Sequence, residues 1–64
     1  MIKLGISAFY HDSAACLMIN GILVSAAEEE RFTGIKHDSS FPINAIKWIL
    51  HSTVTKISDI QEVH

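Results

Sequence analysis

Apolar and polar positions alternate from the first residues onward. Ile2, Leu4, Ile6 and Ala8 are separated by Lys3, Gly5 and Ser7, which predicts a strand over about 2–8 with one buried face. Gly5 inside it would let a backbone or a ligand approach closely. Phe9 to Ser13 turn the chain, and Ala14-Ala15-Cys16-Leu17-Met18-Ile19 is then apolar at every position, the pattern of a strand over about 14–19 covered on both faces. Asn20-Gly21 follows, a two-residue type I′ hairpin signal because both residues tolerate positive φ. Its antiparallel partner is predicted over about 22–28, from Ile22 to Glu28. Glu28 to Phe32 fits either a continuing strand or one helical turn, and Thr33 to Ser40 reads as a polar loop. Pro42 suits a first helical turn, with Ser40 as the cap beside it. Ile43, Ile46, Ile49, Leu50 and, at the end of the stripe, Val54 lie at helical spacing, with Asn44, Lys47 and His51 off it and Trp48 on its flank. A helix is therefore predicted over about 42–53. Ser58-Asp59-Ile60 reads as a short turn, and Val63-His64 is where another strand would start. The predicted fold is α/β, an α+β arrangement in which a three-stranded antiparallel β-meander is followed by a helix.

Composition sharpens this picture. A chain of 64 residues buries only about 60% of its unfolded surface, yet 48% of its residues are apolar and its single cysteine cannot form an internal disulfide. One helix covers only one of two apolar sheet faces, and nothing after His64 completes the final strand. The expectation is a piece of a larger domain, or a module whose apolar face packs on a partner. A formal net charge of −2, with five scattered Lys and Arg, supplies no basic field for nucleic acid. No apolar run approaches the ~20 residues of a membrane span, and the N-terminus lacks a basic leader before a long apolar core. Cys16 inside an apolar run reads as a small hydrophobe in a reducing compartment, so a cytoplasmic location is expected.

Three polar clusters could carry chemistry. In His11-Asp12 a histidine can exchange a proton while a neighbouring carboxylate holds its tautomer; alternatively Asp12 or Ser13 caps the turn through its own backbone and His11 is simply exposed. Lys36-His37-Asp38 would let a lysine meet a phosphate or carboxylate as a point charge, or it is a solvated loop. Glu28-Glu29-Glu30-Arg31 offers a salt bridge or a substrate-facing carboxylate, or it is a solvated edge. His51 and His64 lack metal-ligand spacing with another His, Cys or carboxylate, so no metal site built from this chain alone is expected. There is no glycine-rich phosphate loop of the Walker or Rossmann type.

Taken in order, Gly-Ile-Ser-Ala-Phe-Tyr-His-Asp-Ser-Ala-Ala at 5–15, Asn-Gly at 20–21, Ala-Ala-Glu-Glu-Glu-Arg-Phe-Thr at 26–33, Lys-His-Asp at 36–38 and Phe-Pro-Ile-Asn-Ala-Ile at 41–46 closely resemble the start of the NodU/CmcH-type carbamoyltransferases. These enzymes carbamoylate nodulation factors, cephem antibiotics and aminoglycosides. The resemblance implies that residues 1–64 are the incomplete N-terminal part of a Kae1-like domain. That domain opens an actin/hexokinase/Hsp70-like (ribonuclease-H-like) fold. It implies an ATP-dependent reaction in which a downstream YrdC-like domain makes carbamoyl adenylate from ATP and carbamoyl phosphate. The Kae1-like domain then passes the carbamoyl group to a hydroxyl of a small-molecule acceptor. His11 matches the family's catalytic histidine and is expected to be the general base. Lys36 matches the lysine of the Lys-His motif and is expected to bind carbamoyl phosphate or its phosphoryl group. Asp12, by adjacency, is expected to help shape the acceptor pocket. The family's iron-binding histidines and aspartate lie in segments beyond this sequence, as does its adenylate-forming pocket, so the remainder of the enzyme is the implied partner. Gly34-Ile35 stand where basic residues are common in the family, which thins positive charge near Lys36. Two other readings remain open on the residues: a non-enzymatic remnant or docking module, and an ATP-binding half of another Kae1-like or sugar-kinase-like protein.

Overall fold

A computed structural model describes residues 1–9 and 12–64. Strands β1 (Ile2–Ser7), β2 (Ala14–Ile19) and β3 (Ile22–Glu28) form the meander, followed by a short helix α1 (Glu30–Thr33), the helix α2 (Ile43–Ser52), a 3-10 turn (Ile57–Asp59) and a fourth strand β4 (Glu62–Val63). The undecided segment after β3 is thus one helical turn, ended by Gly34 at φ 72°. The hairpin between β2 and β3 has Asn20 at φ 51° and Gly21 at φ 80°, the pair of left-handed residues that a type I′ turn requires.

The sheet has four strands rather than three, in the order β3-β2-β1-β4. The first three pair antiparallel, whereas β4 runs parallel to β1, with Lys3 opposite Glu62 and Leu4 opposite Val63. The strand start expected at Val63-His64 is thus present at Glu62–Val63, although two residues do not record their partner. Their register comes instead from groups some sixty positions away: Gln61 N donates to Ile2 O at 2.9 Å, His64 N to Leu4 O at 2.8 Å and Ile6 N to His64 O at 2.7 Å. Lys3 Nζ and Glu62 Oε2 add an exposed ion pair at 3.5 Å.

The core lies on one face of the sheet. Leu4, Ala15, Leu17 and Ala27 are buried there against Ala45, Ile46 and Ile49 of α2, with Ile2, Ile6, Trp48, Leu50 and Ile60 packed around them. Leu17 and Ile49 have no exposure at all. Three apolar expectations change. Ile43, placed on the apolar stripe of α2, is 45% exposed. Ala14, Cys16 and Met18, on the other face of β2, are only half-buried, because α2 covers a single side. Val54 is 90% exposed, because α2 has ended before it and the backbone there turns left-handed at φ 53°. No helix among the described residues is long and apolar enough to cross a membrane.

Gly5 has a packing role on the uncovered face. It pairs with Cys16, and a Cβ placed on it would lie 2.7 Å from Cys16 Sγ, inside van der Waals contact. Gly5→Ala should therefore cost about 1–3 kcal/mol in urea unfolding. In a Cys16→Ala background, where the sulfur is gone, most of that cost should vanish.

Candidate functional site

The segment between β1 and β2 and the segment between α1 and α2 are drawn together by hydrogen bonds. Phe9 N donates to Ser39 O at 2.7 Å, and Ser13 N donates to Asp38 O at 2.7 Å. Between these backbone contacts, Asp12 Oδ1 and His37 Nδ1 lie 2.7 Å apart, and the Phe9 and Phe41 rings stack with centroids 6.4 Å apart. Asp12 and His37, 25 positions apart in sequence, are therefore brought together. His11, with Tyr10, lies outside the described residues; its neighbours in sequence, Phe9 and Asp12, both contact the second segment.

Lys36 is exposed and sits with His37 at the centre of a turn closed by Asp38 N donating to Ile35 O at 3.1 Å. His37 is left-handed at φ 56°, as is Phe9 at φ 70°. Left-handed backbone at a bulky non-glycine residue costs free energy and persists only where its surroundings fix it. At His37 the fixing groups are plain: its amide donates to Glu30 Oε1 at 2.7 Å, and its ring meets Asp12.

That ring contact raises the His37 pKa above its ordinary 6.5, through the Asp12 hydrogen bond first and the Asp12 charge second, against a smaller opposing desolvation, with Glu30 and Glu28 adding still smaller attractions. The protonated form is thus favoured by folding. Its contribution to stability is complete below the ordinary histidine value and is lost as pH rises through the raised one. Asp12→Asn should return the His37 titration toward 6.5, read by proton NMR of the imidazole; an unchanged titration would remove Asp12 as the cause.

Asp38 anchors the other side of the turn from a buried position, 6% exposed. Its carboxylate accepts from Ser40 Oγ at 2.6 Å, Ser40 N at 2.9 Å and Thr33 Oγ1 at 2.8 Å. These donors, the Ser40 hydroxyl foremost, hold its pKa below the usual 3.8. The stability they confer is present above that value and is lost as pH falls through the lowered one.

Glu29 is the residue that the run of three glutamates concealed. It is 1% exposed rather than part of a solvated edge. Its Oε2 accepts from Asn44 Nδ2 at 2.7 Å and Asn44 N at 3.2 Å, and its Oε1 accepts from Ala45 N at 2.8 Å. These amides belong to the unpaired first turn of α2. Pro42 holds the cap position without a side-chain bond, and Ser40, the expected cap, is engaged with Asp38 instead. Glu29 N also donates to Ser13 O at 2.9 Å, so one residue ties the β1–β2 turn, the end of β3 and the start of α2. Ser13 is fully buried, and its hydroxyl has no hydrogen-bond partner among the described residues. Also among the described residues, no group of three or more His, Cys, Asp and Glu is arranged to hold a metal ion.

Comparison with known proteins identifies the frame that holds these loops. The family described as Carbamoyltransferase N-terminus matches residues 2–63. The chain belongs to that carbamoyltransferase family. An uncharacterized protein of Synechocystis sp. is 47% identical over 60 residues, covering 94% of this chain and 10% of that protein. An uncharacterized 19.2 kDa protein from the syrM 5′ region of Rhizobium etli is 37% identical over 57 residues, covering 89% of this chain and 33% of its own length. The nodulation protein NolNO of Sinorhizobium fredii is 39% identical over 54 residues, 84% of this chain and 8% of its own. The chain thus spans between about a tenth and a third of these relatives. Within the carbamoyltransferase N-terminal segment, the residues that sequence reasoning underrated are His37, Asp38 and Glu29. Asp38 did carry a signal, since an aspartate two residues before a serine can accept that serine's amide in an Asx turn.

Proposed function

We propose that this chain forms the opening of an O-carbamoyltransferase, of NodU/CmcH type, and contributes one wall of its carbamoyl-transfer site. The observation that carries the reading is the family match over residues 2–63; the contact of Asp12 with His37, the neighbour of Lys36, supports it. In this reading the meander and α2 open an actin/hexokinase/Hsp70-like domain of the Kae1-like kind, and the rest of the polypeptide makes carbamoyl adenylate from ATP and carbamoyl phosphate.

His11 is the general base. It takes the proton of an acceptor hydroxyl as that oxygen attacks the carbamoyl carbon; the new C–O bond forms, the bond from carbon to the adenylate phosphate oxygen breaks, and AMP leaves. Lys36 meets carbamoyl phosphate or its phosphoryl group as an exposed cation on a braced turn. Asp12 helps to shape the acceptor pocket beside His11. The acceptor is a small molecule carrying a hydroxyl.

The test uses the whole protein with ATP, labelled carbamoyl phosphate and a panel of sugars and other alcohols. Label is expected in a carbamate ester of one acceptor, and only when ATP is present. Label appearing solely as free carbamate, cyanate or carbon dioxide across the panel would count against transfer to a hydroxyl.

A further inference from the structure

We propose that His37 is a positioning residue that aims Lys36, by fastening the turn that carries the lysine to Asp12 in the β1–β2 segment. The inference rests on the functional reading above, in which Lys36 receives carbamoyl phosphate.

A lysine that must find a phosphate from a solvated loop loses affinity to the ordering of its own backbone and side chain on binding. Lys36 is exposed in its turn, so burial does little to reduce that loss. The next residue supplies the restraint. His37 is held at φ 56°, its amide on Glu30 Oε1 and its ring on Asp12 Oδ1, each at 2.7 Å. The two contacts pull from different elements, α1 and the β1–β2 segment, so together they fix the direction of the peptide between Lys36 and His37. Among the described residues, the charged groups that bear on the imidazole are Asp12, Glu30 and Glu28, all acidic, which favours its donating to Asp12.

The remaining anchors of the loop do not depend on His37. Asp38 keeps its bonds to Ser40 and Thr33, Ser13 N keeps Asp38 O, and Phe9 keeps Ser39. Removing the imidazole therefore loosens the aim of Lys36 without detaching the loop. This separates positioning from a merely structural role. Asparagine is the informative replacement, since its short amide tolerates left-handed backbone and can donate to a carboxylate much as Nδ1–H does.

Steady-state kinetics of the whole protein, with carbamoyl phosphate as the varied substrate, test the proposal. His37→Ala is expected to raise KM for carbamoyl phosphate by about tenfold while kcat stays within about threefold of wild type. His37→Asn should recover most of that loss. Asp12→Ala should raise the same KM, and the double variant should be little worse than either single one, because both changes break one contact. An unchanged KM in His37→Ala, a loss confined to kcat, or an asparagine variant as poor as the alanine one would overturn the positioning role while leaving the carbamoyltransferase reading intact. A wild-type protein that does not use carbamoyl phosphate would overturn the functional reading, and the positioning role would fall with it.

Discussion

Replacing His11 with alanine in the whole protein is expected to lower carbamoyl transfer by about 10²–10⁴-fold, the usual contribution of a positioned general base. Formation of carbamoyl adenylate, followed by ATP–pyrophosphate exchange, should continue. The division follows from where the proton has to go. The acceptor hydroxyl is a poor nucleophile until its proton is taken, whereas adenylate formation does not involve the acceptor. Asparagine at position 11 should be nearly as poor as alanine, since an amide can accept a hydrogen bond but cannot carry a proton away at neutral pH. Transfer at the wild-type rate in either variant would take His11 out of the chemistry. Loss of both half-reactions together would point to a damaged fold, and the melting temperature would report it.

The second large effect is on stability. Glu29→Ala should cost about 3 kcal/mol, because charge-assisted hydrogen bonds at a helix N-terminus are lost and the Ala45 amide is left buried without a partner. A core in a chain below about 70 residues rarely supplies more than about 3–5 kcal/mol in total. The isolated 64-residue variant should therefore retain at most about 2 kcal/mol, and populate its unfolded state measurably at room temperature, by circular dichroism and amide exchange. Glu29→Gln should lie between wild type and alanine. It keeps one acceptor oxygen but turns an NH₂ group toward the Asn44 and Ala45 donors that both carboxylate oxygens now serve. Wild-type stability in the alanine variant would show that water or another group caps α2 equally well.

Sequence pattern reached the local elements because their determinants are local. Ile2 to Ser7 alternates, Ala14 to Ile19 is a continuous apolar run, and Asn20-Gly21 suits only a tight turn; each lies in the structure where such a pattern would put it. The same logic placed α2 on Ile46 and Ile49. It failed where the determinant is distant. The strand start expected at Val63-His64 is present at Glu62–Val63, but its parallel pairing on the open edge of β1 is not recorded in a pattern of two residues. Glu29 is indistinguishable from Glu28 and Glu30 by composition; it is buried because its position at the end of β3 points its carboxylate at a helix start fifteen residues later. The candidate site was visible as two fragments, His11-Asp12 and Lys36-His37-Asp38. That they meet through Asp12 and His37 depends on the β1–β2 turn and the α1–α2 loop folding to the same place, which neither fragment encodes by itself.

The most direct measurement of the transfer role supplies preformed carbamoyl adenylate and a hydroxyl acceptor to the whole protein, without carbamoyl phosphate, and follows the carbamate ester in a single turnover. The wild-type protein is expected to form the ester and release AMP, and His11→Ala is expected to leave the adenylate untouched apart from slow hydrolysis. Ester formation at equal rates in both proteins, or in neither, would contradict the assignment of carbamoyl transfer to the turn that carries His11.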